Sequence, residues 1–144
     1  MSNWFECKVR YEKLAENGAA KKVNEAYLVD ALSFTEAEAR ITEEQRRFIS
    51  GEFTVSAIKP TRISEIFWDE TGDRWYLVKV AFITIDEKTA AEKRTISQIL
   101  VQASSLKQAL ENFEEGMKGT MADYAVVQVT ETPLIDVYKM KVVE

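Results

Sequence analysis

Apolar and polar residues alternate without a fault from Phe5 to Glu12: Phe5, Cys7, Val9 and Tyr11 fall on one side, and Glu6, Lys8, Arg10 and Glu12 on the other. That period of two predicts a half-buried antiparallel strand. The pattern returns at an offset of 71 residues, where Tyr76, Val78, Val80 and Phe82 take the apolar positions. There the other side is largely apolar too, with Trp75, Leu77, Ala81 and Ile83. The second copy is therefore expected to be buried on both faces, as the more central strand or as one that a partner covers.

A second repeated stretch reads as a strand running straight into a helix. Tyr27–Arg40, YLVDALSFTEAEAR, is matched by Ile99–Asn112, ILVQASSLKQALEN, at an offset of 72. Ser33 with Glu36, and Ser105 with Gln108, stand at capping-box spacing, where the serine hydroxyl takes a backbone donor of the first helical turn. Phe34, Ala37, Ile41 and Phe48 in the first copy, and Leu106, Ala109, Leu110, Phe113 and Met117 in the second, recur at helical spacing and predict a core stripe on each helix. The loops before these second strands, Lys13 to Ala20 with an Asn17-Gly18 turn signal and Asp86 to Glu92 with a charged run, are too long for tight hairpins and are candidate contact loops.

Two short β-rich runs follow each helix, Phe53 to Ile58 then Ile63 to Trp68, and Tyr124 to Thr130 then Leu134 to Val143. Pro60 and Pro133 break these pairs and mark a bend, bulge or edge, since proline cannot donate to a ladder. Between the copies, Asp69 to Asp73 is flanked by Trp68 and Trp75, which predicts a hairpin with the two indoles paired across it. The chain thus reads as α+β, a tandem duplication of a β-β-α-β-β unit with antiparallel sheets, one helix per repeat and a pseudo-two-fold relation. Residues 1–144 are expected to form one compact domain from repeats at about 3–69 and 74–143.

Composition narrows the chemistry. The 144 residues are 46% hydrophobic and 30% charged with five Gly and two Pro, an ordinary globular balance. There is no histidine, which removes the usual general base, the Ser-His and Cys-His pairs and imidazole metal sites. The single Cys7 falls on the apolar side of its strand and reads as a small buried hydrophobe. The net charge of −5 is spread over both halves, ten Lys and Arg against thirteen Asp and Glu in residues 1–72 and nine against eleven in 73–144, so strong non-specific duplex binding is disfavoured. No apolar run reaches the length of a membrane span, and the polar start lacks the features of a signal peptide, so a cytoplasmic location away from membranes is expected.

From Tyr11 to Ile41, with YEKLAENG and KKVNEAYLVDALSFTEAEARI, the sequence resembles an uncharacterised family of small bacterial and phage proteins classed only as a domain of unknown function. SFTEAEAR is the most specific part, and the resemblance spans most of the chain. It implies a bacterial or phage origin and transfers no activity, cofactor or site residue.

Phosphate-loop, dinucleotide-binding, nucleophile-elbow and paired-cysteine motifs are absent from the sequence, and no catalytic residue, cofactor or metal is expected. The carboxylates Asp30, Glu36, Glu38, Glu65 and Asp136 read as caps and solvated faces, because Asp30 becomes Gln102 in the second copy and Glu36 and Glu38 become Gln108 and Leu110. A metal-assisted carboxylate enzyme would require such acids to cluster in one cleft. The candidate contact residues are Lys8, Arg10, Lys22, Trp68, Trp75, Lys79 and Lys93, with Lys8 and Lys79, and Lys22 and Lys93, taken as repeat equivalents; Lys139 and Lys141 add to the basic set. The expected function is a non-enzymatic binding or assembly module that contacts a protein, its own copy included, through sheet surface or edges, with Leu134 to Val143 as the strand offered for pairing. The alternative is a nucleic-acid or nucleotide-binding accessory protein, whose ligand a lysine and aromatic sheet face would take.

Overall fold

A computed structural model of the chain describes residues 3–140. Its elements are β1 (Asn3–Leu14), β2 (Ala20–Ala31), α1 (Phe34–Arg46), β3 (Phe53–Pro60), β4 (Ile63–Phe67), β5 (Arg74–Ile85), β6 (Glu92–Ala103), α2 (Leu106–Gly116), β7 (Asp123–Glu131) and β8 (Leu134–Tyr138). The fold is α+β, and the element order is that of a duplicated β-β-α-β-β unit. The alternation read in the sequence is realised: Phe5, Cys7 and Val9 are buried while Lys8 and Arg10 are exposed.

The strands form two sheets, ordered β3-β1-β2-β8 and β4-β6-β5-β7. Within each, the first three strands of one repeat pair antiparallel, and the fourth strand comes from the other repeat and pairs in parallel, β8 on β2 and β4 on β6. The repeats therefore exchange their last strands. The chain accordingly divides into two compact units: unit 1 holds the residues up to Thr61 and those from Pro133 onward, and unit 2 holds Arg62–Thr132.

Each exchange is anchored by a threonine in the same place in each repeat. Thr61 donates both its backbone N–H and its Oγ1 hydroxyl to the Trp4 carbonyl at 2.9 Å, just before the chain leaves unit 1. Thr132 donates the same two groups to the Trp75 carbonyl at 2.8 Å. A second repeated tie closes the far end of each added strand. Asn112 donates to the Gln102 carbonyl at 3.0 Å and to the Asp69 carboxylate at 2.9 Å. At the same helical position in unit 1, Arg40 donates to the Asp30 carbonyl and, at 2.9 Å, to the Lys139 carbonyl.

Several expectations change. The two indoles do meet, edge to face with centroids 5.6 Å apart. They do so without a β4–β5 hairpin, because β6 lies between those strands. The intervening turn is held instead by Gln102, whose side chain accepts from the Asp69 N–H and donates to the Gly72 carbonyl, both at 3.0 Å. The final strand spans Leu134–Tyr138. The remainder of the expected strand to Val143, with Lys141, includes residues outside the described ones.

The hairpin loops set the register. Five residues join β1 to β2 and six join β5 to β6, and each loop passes through a left-handed residue two places before its second strand, Gly18 at φ 81 and Ala90 at φ 59. The offset consequently grows from 71 to 72. Lys22 pairs with Glu12, whereas Lys93 pairs with Thr84, so Lys93 corresponds to Lys21 and Lys22 to Arg94. The assumed Lys22–Lys93 equivalence is thus off by one residue, and one residue along a strand reverses the face.

Both helices start as their caps predict, with Ser33 Oγ accepting from the Glu36 N–H at 3.2 Å and Ser105 Oγ from the Gln108 N–H at 3.1 Å. The expected core stripes divide. Ala37 and Ile41, and Ala109, Phe113 and Met117, are buried against their sheets. Phe34 and Phe48, and Leu106 and Leu110, are exposed. Residues four apart share one line along a helix, so 109-113-117 and 106-110 form two adjacent lines. The first faces the core and the second lies beside it.

Candidate functional site

In unit 1, Lys8, Arg10 and Lys22 share the sheet face away from α1: Arg10 lies opposite Asn24, Lys22 opposite Glu12, and Lys8 opposite Ala26 and Ala57. Arg10 Nε donates to Asn24 Oδ1 at 3.1 Å, which fixes the guanidinium. Arg10 borders two open recesses, one of about 550 Å³ that it shares with Lys8 and Ser56, and one of about 580 Å³ that it shares with Lys22 and Thr54. Glu6, Glu12 and Asn24 interleave these cations, and Glu6 is paired with Lys59 at 3.6 Å.

The other candidates belong to unit 2. Trp75 is 2% exposed and Trp68 is 45% exposed. A buried indole offers no free face to an incoming base, and unit 1's cations have neither of these two tryptophans within their own unit. Lys79 is half-buried opposite Gln98 and Gln128, on the Trp75 side of the sheet, and Lys93 lies on the opposite side with Thr84. Among the described residues no three His, Cys, Asp or Glu side chains are grouped to hold a metal ion.

Sequence reasoning missed a polar network on the helix side of unit 1. Tyr11 and Tyr27 both donate to Glu25, at 2.6 and 3.4 Å, Tyr27 stacks on Tyr138 with centroids 5.8 Å apart, and the buried Gln45 donates to the Tyr138 hydroxyl at 3.3 Å. The hydrogen bond to the Glu25 carboxylate pushes the Tyr11 phenol up to about 12, and burial pushes Tyr138 up to about 12 and Tyr27 in the same direction. Burial likewise raises the Cys7 thiol to about 12, holding it neutral. In unit 2 the corresponding residues are Phe82, Ser97, Ile99, Phe67 and Met117. At these five positions one repeat uses hydrogen bonds and the other mainly apolar side chains, although unit 2 keeps one such bond elsewhere in its core, from the buried Tyr76 hydroxyl to Glu131 at 3.3 Å.

The reverse contrast appears at the outer border of each helix. In unit 1 a recess of about 360 Å³ separates α1 from the edge strand β3, lined by Phe34, Thr35 and Glu38 on one side and Val55 to Ile58 on the other. The corresponding positions in unit 2 are Leu106, Lys107 and Leu110, then Val126 to Val129. Leu106 is 52% exposed, Leu110 38%, Val126 43% and Val127 55%. Val127 is the residue of β7 that the ladder skips opposite Lys79 and Val80, a bulge that leaves its side chain outside the pairing. The main neighbours of α1 include β3, whereas those of α2 are β6 and β4. Gly116 explains the difference: a Cβ there would sit 2.5 Å from the Phe67 ring of β4, so its absence lets α2 close on β4. The signal available beforehand was Glu38 changing to Leu110 at a position one step off the core line.

No described helix is long and apolar enough to cross a membrane. Comparison with curated proteins gives no match. Comparison with solved structures also gives none. The duplicated unit accounts for nearly the whole chain, and a single family model covers the same span: residues 3–140 match the domain of unknown function DUF4494, and the chain belongs to that family.

Proposed function

We propose that the protein is a non-enzymatic binding or assembly module that contacts another polypeptide, its own copy included, through the sheet edge of unit 2. The observation that carries this is four exposed aliphatic side chains on neighbouring parts of unit 2, Leu106 and Leu110 on α2 and Val126 and Val127 on the edge strand β7, whose residues Tyr124 to Thr130 carry no charge. Edge strands are usually guarded by charge or proline, and exposed apolar patches mark interaction sites. The single buried cysteine agrees with a reducing cytoplasm, which we assign as bacterial or phage in origin.

The alternative, a nucleic-acid or nucleotide-binding accessory protein, is favoured by Lys8, Arg10 and Lys22 sharing one face of unit 1. Native mass spectrometry of the protein purified from cells separates the two. The proposal expects a bound polypeptide or second copy that Leu110→Glu removes. A retained nucleotide or oligonucleotide that Lys8→Glu with Arg10→Glu removes, while Leu110→Glu does not, moves the assignment to the alternative.

A further inference from the structure

We infer that the border between α2 and β7 takes an extended segment of another protein, with aliphatic side chains at alternate positions and lysine or arginine flanking them. This rests on the binding-module reading above and adds the chemistry of the partner. The aliphatic requirement follows from Leu106, Leu110, Val126 and Val127, which offer side-chain contact and no exposed hydrogen-bonding group. The extended form follows from β7, the terminal strand of its sheet, whose outer edge presents unpaired backbone groups on either side of the bulge at Val127.

The charge of the partner follows from the acidic residues carried by the same two elements. Glu111 and Glu114 on α2 and Asp123 at the start of β7 are all exposed, and among the described residues none of the three forms an ion pair. Lys118 is engaged by Glu115 at 2.7 Å, which leaves Lys107 as the exposed cation of α2. Unit 2 as a whole carries eight Lys and Arg against twelve Asp and Glu. A second copy brings the same acidic residues. With Val127 opposite its own equivalent in an antiparallel pair, Asp123 would face Glu131, and like charges directly opposed are unfavourable. A basic-flanked partner meets these residues with complementary charge instead.

Three synthetic peptides test this on the full chain by fluorescence anisotropy: a valine-threonine alternation with lysines at both ends, the same core with glutamates at both ends, and a serine-threonine core with lysines at both ends. The lysine-valine peptide is expected to bind at least tenfold more tightly than either of the others, and Leu110→Glu to weaken it at least tenfold. Leu106→Ser serves as a second, milder variant, with circular dichroism verifying the fold of both. Equal binding of the lysine-valine and glutamate-valine peptides, still lost in Leu110→Glu, overturns the basic partner and leaves the binding surface standing. Binding of the serine core as tight as the valine core, or a lysine-valine peptide that fails to bind or ignores both substitutions, overturns the segment and the surface together.

Discussion

Single residues decide which side chains each unit buries. Gly116 and Glu44 occupy the same helical position in the two repeats; the glycine sets α2 against the Phe67 ring of the added strand, whereas α1 reaches Tyr138 of its added strand through the Gln45 amide at 3.3 Å. Gly116→Ala places a methyl where the Phe67 ring is. The gain in helix propensity is at most about 1 kcal/mol, whereas overpacking of this kind costs about 1–3 kcal/mol. The net effect is expected to be destabilising by up to about 2 kcal/mol in urea unfolding. Phe67→Leu, which removes the atoms in the way, is expected to recover part of the loss in the double variant. A fully additive pair would show that the ring is not what α2 rests on. The same logic sets Leu110 apart from Glu38: each extends from the border of its helix, and only the leucine leaves an apolar surface for another molecule.

At the level of elements, strand exchange between repeats is held at its two crossings by Thr61 and Thr132. Each uses a backbone and a side-chain donor on one tryptophan carbonyl. Thr132→Val keeps the backbone bond and the shape but removes the hydroxyl, and is expected to cost about 1 kcal/mol; Thr61→Val should cost the same. Unfolding midpoints indistinguishable from the parent in both variants would assign the anchoring to the backbone alone. The repeat, the strand alternation and both serine caps were legible because each is written in residues close together in the chain. Which sheet receives β4 and β8 was not legible, since a five-residue run such as ISEIF or LIDVY has the same pattern whether it pairs with its neighbour or with a strand of the other repeat. The cationic set was legible as a list but not as a surface: one added loop residue turns Lys93 to the other face, and tryptophan spacing alone does not reveal that Trp75 is buried. The α2 border was hidden by treating every apolar residue of the helix as core.

For the whole molecule, the two units reach burial by different chemistry, and pH should separate them. The Tyr11 and Tyr138 phenols are pushed from an ordinary value of 10.0 to about 12, with Tyr27 shifted the same way. Because the folded state holds these protons more tightly, the unfolded chain loses them first as pH passes 10. From there to about pH 12 the unfolded state binds fewer protons, so stability falls as pH rises; below pH 10 the contribution is complete. Phe82, Ile99 and Phe67, which stand at the corresponding places in unit 2, have no proton to lose. Urea midpoints followed by circular dichroism are therefore expected to be level up to pH 9 and lower at pH 11.5, and Tyr11→Phe with Tyr138→Phe should shrink that decline. An unchanged decline in the double variant would mean that the alkaline loss originates outside the tyrosine network. A smaller one would locate it in unit 1, where Glu25 and Gln45 bond hydroxyls at positions that Phe82, Ile99 and Phe67 fill without one in unit 2.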